Sequence, residues 1–163
     1  MQAMDKSTEE LIKQQIINGF PKLETDINFK LTSPCDPNYN CIAWAYHYKD
    51  RWMWPADGST ADLDGVCYWP DGIIKTPDVE AFKQAFQLKG YNVCDNSDFE
   101  SEFQKIALYV VPGTTECTHA SRQLRNGFWT SKLGQAFDIQ HGTPYTIEGN
   151  AYGEVYCIMK RKF

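Results

Sequence analysis

The length, composition and charge of the chain exclude several classes of protein. Its 163 residues are 42% hydrophobic and 23% charged, which is ordinary for one globular domain spanning residues 1–163. The net charge is −5, and apart from three basic residues at the C-terminus no run of Lys or Arg stands out. Nucleic acids and anionic membranes both favour basic patches, so we expect neither as a partner.

The N-terminal segment and the cysteines indicate the compartment. Residues 1–13 contain no apolar segment of the signal-peptide kind, and no stretch reaches the ~18 apolar residues of a membrane span. We therefore expect a cytoplasmic protein as synthesised, with delivery by a specialised secretion system left open. The six Cys residues form no C-x-x-C pair, so we expect free thiols and neither a metal site nor a cofactor. The sequence does not define the oligomeric state.

Helical patterns come first along the chain. A capping box at Ser7 predicts an amphipathic helix at about 8–18. A turn-rich loop at 33–40 then leads into the apolar segment 41–48, whose spacing predicts a second helix. A third helix is predicted from a cap at Thr76 to a stop at Gly90.

Strand patterns fill the second half of the chain. Runs at 106–111 and 155–159 have the apolar character of buried strands, and a short helix at 99–103 is a further candidate. Segments 117–124 and 127–133 flank an Asn-Gly pair, which is typical of a β-hairpin. The order predicts an α+β fold in which N-terminal helices pack on a mostly antiparallel sheet.

Cys41 stands out among the six cysteines because it lies where a loop becomes a helix. A thiol in the first turn of a helix faces unpaired N–H groups and the positive end of the dipole, which favours the thiolate. His119 lies in the first strand of the predicted hairpin. A helix that packs on a sheet can bring Cys41 within hydrogen-bond reach of an imidazole on the facing strand, so His119 is the candidate general base. The alternatives are that Cys41 is a buried structural cysteine and that His119 is a hydrogen-bonded sheet histidine. Cys117 is a weaker candidate nucleophile.

A catalytic imidazole also needs a group that orients it. Asp138 is the best choice chemically, whereas Ser131 lies at the closest strand spacing and His141 is a further alternative. Trp44, on the proposed Cys41 helix, is a candidate wall of a substrate groove. Three more tryptophans are either further parts of that groove or aromatic anchors of the core and loops: Trp52, Trp54 and Trp69.

Two segments resemble papain-like cysteine peptidases, in particular the compact bacterial NlpC-type and CHAP-type amidases. The first is Tyr-Asn-Cys-Ile-Ala-Trp-Ala at 39–45. The second runs from Thr-His-Ala-Ser-Arg-Gln-Leu at 118–124 through a Gly-x-Trp-x-x-Lys-x-Gly pattern at 127–134, which is similar to uncharacterised bacterial proteins. The resemblance implies a papain-like, NlpC-like fold.

The resemblance also implies a reaction. Cys41 would attack a peptide, isopeptide or cell-wall peptide amide, His119 would carry the proton, Asp138 would hold the ring, and an acyl-enzyme would form. The expected partner is then a peptide or protein substrate. Two other functions stay open: a catalytically inactive domain of the same fold that binds a protein partner, and a transglutaminase-like transfer of the acyl group to an amine.

Overall fold

Three α-helices overlap the segments where the sequence pattern most clearly predicts helices, at about 8–18, 41–48 and 76–90. The computed structural model describes residues 5–33, 36–55, 67–133 and 137–163. Helix α1 spans Lys6–Gly19, α2 spans Cys41–Ala45 and α3 spans Val79–Gln87. Two 3-10 helices, Pro21–Thr25 and Pro144–Ile147, complete the helical elements of these ranges. Among the described helices, none is long and apolar enough to span a membrane.

Side-chain caps fix where the helices begin. Asp5, Asn40 and Asp78 each accept a hydrogen bond from a backbone N–H in the first turn. The predicted caps Ser7 and Thr76 are therefore displaced by two residues in each case, in opposite directions. The apolar run 41–48 is helical only to Ala45, and His47 takes a left-handed conformation with φ of 73°.

Seven strands form one sheet: β1 (Lys30–Ser33), β4 (Asn92–Cys94), β5 (Phe103–Val110), β6 (Cys117–Gln123), β7 (Trp129–Lys132), β8 (Asp138–His141) and β9 (Glu154–Lys162). Their order across the sheet is β1-β8-β7-β6-β5-β9-β4, and every neighbouring pair is antiparallel. Two short strands, β2 (Trp52–Met53) and β3 (Cys67–Tyr68), pair in parallel beside it. The prediction of an α+β fold with a mostly antiparallel sheet is confirmed.

Both faces of the sheet are covered, which explains the apolar run of β5. Helices α2 and α3 pack on one face, where Ile106 and Leu108 contribute to the core. The 3-10 helices cover the other face, where Ala107 and Tyr109 contribute. Strand β5 is consequently buried at every position from Gln104 to Val110.

The sheet contains three short strands that the sequence pattern does not predict. The strands β1, β4 and β8 have three or four residues each, too few to show a clear alternation. The candidate helix at 99–103 is absent, and Phe103 instead begins β5.

The Asn40 side chain ties α2 to the neighbouring loop and gives a test of the fold. It accepts from the backbone N–H groups of Ala43 and Met53, at 3.1 and 3.0 Å, and donates to the Met53 carbonyl at 2.9 Å. We expect Asn40→Ala to lower the free energy of unfolding by about 2–4 kcal/mol, because a cap is lost and buried backbone groups lose their partner. Urea denaturation measures this.

Asp5→Ala is the matched control, since it removes an exposed cap and nothing else that the structure shows. Its expected cost is about 1 kcal/mol. Equal losses for the two variants would contradict the buried role of Asn40.

Candidate active site

Cys41 is buried at the first position of α2, against the sheet. Only 7% of its surface is exposed. Its side chain lies in the core cluster that α2, α3 and one face of the sheet form together. The predicted position at a loop-to-helix junction is therefore correct, but the thiol is largely enclosed.

Strands β6 and β7 are not paired along the part of β6 that Cys41 contacts. Strand β6 pairs with β7 only at Arg122–Thr130 and Gln123–Trp129. The Leu124 N–H donates to the Phe128 carbonyl, so by alternation the N–H of Ala120 also points to the β7 side. There it meets the Cys41 sulfur instead of a strand partner. His119 is the residue immediately before Ala120 in the strand.

The balance of effects on Cys41 leaves it a thiol. Burial raises the pKa of Cys41 to about 11, and this outweighs the opposing effects of the Ala120 and Ile42 amides and of the Lys132 charge. The amides at the helix start favour the thiolate, as expected, but burial outweighs them in the resting site. The dipole of a five-residue helix does not offset the loss of water around the sulfur.

His119 belongs to a chain of buried hydrogen bonds. Its Nε2 is 3.1 Å from Ser131 Oγ, which is 2.8 Å from His141 Nε2. The other ring nitrogen of His141, Nδ1, is 2.7 Å from the carbonyl oxygen of Thr143. All three side chains of the chain are fully buried.

The direction of each hydrogen bond follows from the last acceptor. A carbonyl oxygen only accepts, so His141 Nδ1 carries the proton and, in a neutral ring, His141 Nε2 accepts. Ser131 must then donate to His141 and accept from His119 Nε2. This assigns the proton of neutral His119 to Nε2 and leaves Nδ1 as a bare acceptor.

The electrostatics of His119 keep it neutral. Burial, and secondarily the charge of His141, holds the pKa of His119 well below its usual value. Its Nδ1 has no hydrogen-bond partner, and no hydrogen bond joins it to Cys41 in the described residues. A buried basic nitrogen without a donor is uncommon in a folded protein and marks this atom as a candidate proton acceptor.

Aromatic rings fix the plane of the His119 imidazole. The Tyr152 ring is nearly parallel to it, with ring centroids 3.9 Å apart and an interplanar angle of 6°. The Tyr109 ring also stacks on it at 5.2 Å. Tyr152 was not identified from sequence; only its place in a Gly-rich turn before β9 was a signal.

The carboxylate predicted to orient His119 lies elsewhere. Asp138 accepts a 2.8 Å hydrogen bond from the Tyr39 hydroxyl, and its other oxygen is 4.0 Å from the Nζ of Lys132. Since Nδ1 of His119 has no partner and Nε2 meets Ser131, Asp138 is not the orienting group. The two alternatives, Ser131 and His141, are the ones that the structure brings to His119.

A buried ion pair therefore stands beside the nucleophile candidate. Lys132 is fully buried, its ammonium group lies 5.2 Å from the centre of the Tyr39 ring, and its charge favours the Cys41 thiolate. Lys132 was part of the Gly-x-Trp-x-x-Lys-x-Gly pattern, but its role beside Cys41 was not predicted.

The four tryptophans do not form one wall. Trp44 lines a cavity of about 610 Å³ together with Tyr39 and Asp138. Trp54 and Trp69 instead pack edge-on against Phe82 in the core. Of the two alternatives for these tryptophans, their contacts agree with that of core anchors: Trp69 is buried, and Trp54 is partly buried against the core that contains α3.

Trp52 and Cys117 also have structural contacts. The indole N–H of Trp52 donates to the Pro37 carbonyl at 2.7 Å, which anchors the loop before α2. The Cys117 thiol is buried and lies 3.8 Å from the backbone oxygen of His119, not from its ring. Across the described ranges no group of three or more His, Cys, Asp or Glu is arranged to hold a metal ion.

The assigned tautomers can be observed directly. We expect nitrogen NMR of the imidazoles to show the proton on Nε2 of His119 and on Nδ1 of His141. Ser131→Ala should perturb both rings, because it removes the hydroxyl that joins them. Ser121→Ala is the control, since that equally buried hydroxyl meets Tyr109 instead. A proton on Nδ1 of His119 would contradict the assignment.

Burial of neutral histidines makes the stability depend on pH. The folded-state pKa of His119 is well below 6.5, and that of His141 is about 4, so below pH 6.5 the unfolded chain binds more protons. The stabilisation is complete above about pH 6.5 and is lost as the pH falls towards 4. Each ring should contribute a slope of up to about 1.4 kcal/mol per pH unit.

Urea denaturation between pH 7 and pH 4 measures this slope. In His119→Gln one of these titrating groups is gone, so the decline should be shallower than in the wild-type protein. Parallel curves for the two proteins would show that His119 is not buried in its neutral form.

Comparison with known proteins places the chain in a family. Residues 30–160 match a family described as a domain of unknown function, DUF7689. No curated protein and no solved structure matches the chain. The match covers the segments that carry Cys41, His119, Ser131 and His141. Because it extends over most of the 163 residues, the chain belongs to the DUF7689 family.

Proposed function

We propose that the protein is a thiol-dependent amidohydrolase of papain-like, NlpC-like type. The observation that carries the proposal is the bare Nδ1 of His119, held in a fixed ring orientation by Ser131 and His141. The backbone amide of the next residue, Ala120, contacts the Cys41 sulfur. A buried base without a proton donor, one residue before an amide that contacts a buried thiol, supplies the two groups that nucleophilic catalysis uses.

The reaction follows from the protonation states. Cys41 Sγ attacks the carbonyl carbon of the amide while its proton passes to Nδ1 of His119. The tetrahedral intermediate collapses as the C–N bond breaks, and the same proton goes to the leaving amine. Water then attacks the thioester while Nδ1 takes one of its protons; the C–S bond breaks, the acid leaves, and the proton returns to the Cys41 sulfur. The transfer accompanies the attack, because the pKa of Cys41 lies above that of His119.

Backbone groups at the start of α2 supply part of the stabilisation. The N–H groups of Cys41 and Ile42 lie at the open end of the helix, and the N–H of Ala120 is directed to the sulfur. Developing negative charge on sulfur or oxygen is stabilised by such fixed donors. The cavity beside Trp44 and Tyr39 is the place where we assign the chain of the substrate.

A catalytically inactive domain that binds a protein partner is the second candidate. The observation that favours it is the resting state of the site, in which thiol and imidazole are both neutral, buried and not hydrogen-bonded to each other. Transfer of the acyl group to an amine is a variant of the first proposal, because it uses the same acyl-enzyme.

Acyl transfer from p-nitrophenyl acetate tests the proposal without knowledge of the substrate. We expect an acetyl group on Cys41, read by peptide mass spectrometry, with a burst of p-nitrophenolate. Cys41→Ala should abolish both. His119→Gln should slow acetylation by about 10²–10⁴-fold, because its amide nitrogen replaces Nε2 but nothing replaces the base Nδ1.

Cys117→Ala is the matched control, since it removes a second buried thiol of the same strand as His119. It should leave acetylation of Cys41 at the wild-type rate. If Cys41 is not acetylated, or if His119→Gln leaves the rate unchanged, the site is not catalytic and the binding domain is the better conclusion. Release of acetyl hydroxamate on addition of hydroxylamine would show that the acyl-enzyme also transfers to amines.

A further inference from the structure

Tyr152 stands in a turn whose backbone is firmly held. Gly149 and Gly153 exchange two backbone hydrogen bonds, of 3.0 and 2.8 Å, and close the turn before β9. Gly153 has φ of 79°, and a side chain there would overlap the carbonyl oxygen of Val110. The Thr118 hydroxyl donates to the Tyr152 carbonyl and ties the turn to β6. The position of the Tyr152 ring is thus set by the backbone.

The ring of Tyr152 stacks on the imidazole of the proposed base. One of its faces lies 3.9 Å from His119, centroid to centroid, and the Phe20 ring is 5.2 Å away. Burial raises the pKa of the Tyr152 hydroxyl, and the Cys41 sulfur raises it further. The phenol therefore stays neutral and able to donate a hydrogen bond.

No described residue receives that hydrogen bond. Other buried or stacked tyrosines of the site have an acceptor: Tyr39 donates to Asp138, and Tyr109 donates to the Pro144 carbonyl. The Tyr152 hydroxyl has no such bond in the described ranges, and the residue is half-buried rather than enclosed. A phenol usually finds a partner when it leaves water, so this donor is available for a group that arrives with the substrate.

We propose that Tyr152 is a catalytic residue that donates its hydroxyl proton in a hydrogen bond to the oxyanion formed when Cys41 attacks a carbonyl. The inference rests on the proposed function. No proton is transferred: the C=O bond becomes C–O⁻, the phenol O–H shortens its distance to that oxygen, and the bond is released when the carbonyl re-forms. Such a donor acts only on the intermediate, because the ground-state carbonyl carries little negative charge.

Two reagents separate this role from a structural one. Iodoacetamide alkylates the sulfur by displacement of iodide and forms no oxyanion, whereas p-nitrophenyl acetate reacts through one. We expect Tyr152→Phe, which keeps the stacked ring, to leave the alkylation rate of Cys41 within about twofold. Acetylation of Cys41 should fall by about 10²-fold, which is the usual effect of removing one oxyanion donor.

Tyr145→Phe, at an exposed tyrosine of the neighbouring 3-10 helix, should change neither rate. If Tyr152→Phe changes neither rate, or slows both equally, the hydroxyl does not stabilise the oxyanion and the inference is overturned. If the wild-type protein forms no acetyl-enzyme, the proposed function and this inference fall together; a wild-type rate in Tyr152→Phe overturns the inference alone.

Discussion

The carbonyl oxygen of Thr143 can only accept a hydrogen bond, and the protonation of the whole buried chain follows from that. It fixes the proton of His141, then the direction of the Ser131 hydroxyl, then the proton of His119. A carboxylate in place of Ser131 would also orient His119, but it would hold the protonated ring more strongly. A hydroxyl backed by a neutral imidazole orients the ring without adding negative charge, which agrees with the low pKa of His119.

The interrupted strand ladder is the second constraint. Cys41 lies in the core on the α2 side of the sheet, whereas His119 stacks on Tyr109, which belongs to the core of the other side. A complete β6–β7 ladder would place a layer of paired backbone between them. Because pairing starts only at Arg122–Thr130, the helix start reaches the free edge of β6. The gap costs backbone hydrogen bonds in the sheet, and the Ala120 amide regains one interaction at the sulfur.

The sequence predicted the parts of the site that depend on local pattern. The helix that starts at Cys41 and the hairpin around Asn126-Gly127 are both encoded within a few residues, and both are present. The choice among Ser131, Asp138 and His141 depends on alternation in β7 and β8, and these strands of four residues each are too short to show it.

Alternation in β8 explains why Asp138 was the wrong choice. In the observed register Asp138 lies opposite Lys132 and shares its face of the sheet, whereas Ser131 and His141 lie on the other face, with His119. Apart from its place in a Gly-rich turn, local pattern does not mark Tyr152 as a site residue. Its contact with His119 joins residues 33 positions apart and depends on the close approach of a glycine to Val110.

Because the Cys41 thiol and the His119 imidazole are both neutral and buried, the site differs in reactivity from one that holds a preformed thiolate–imidazolium ion pair. A preformed thiolate reacts with any electrophile or oxidant that reaches it, whereas a thiol with a pKa of about 11 is protected at neutral pH. If the proton moves only as sulfur attacks a carbonyl, the donors that stabilise the oxyanion also decide when the sulfur becomes nucleophilic. The proposed roles of His119 and Tyr152 are then linked: the imidazole removes the proton, and the stacked phenol makes its removal favourable only with a carbonyl in place.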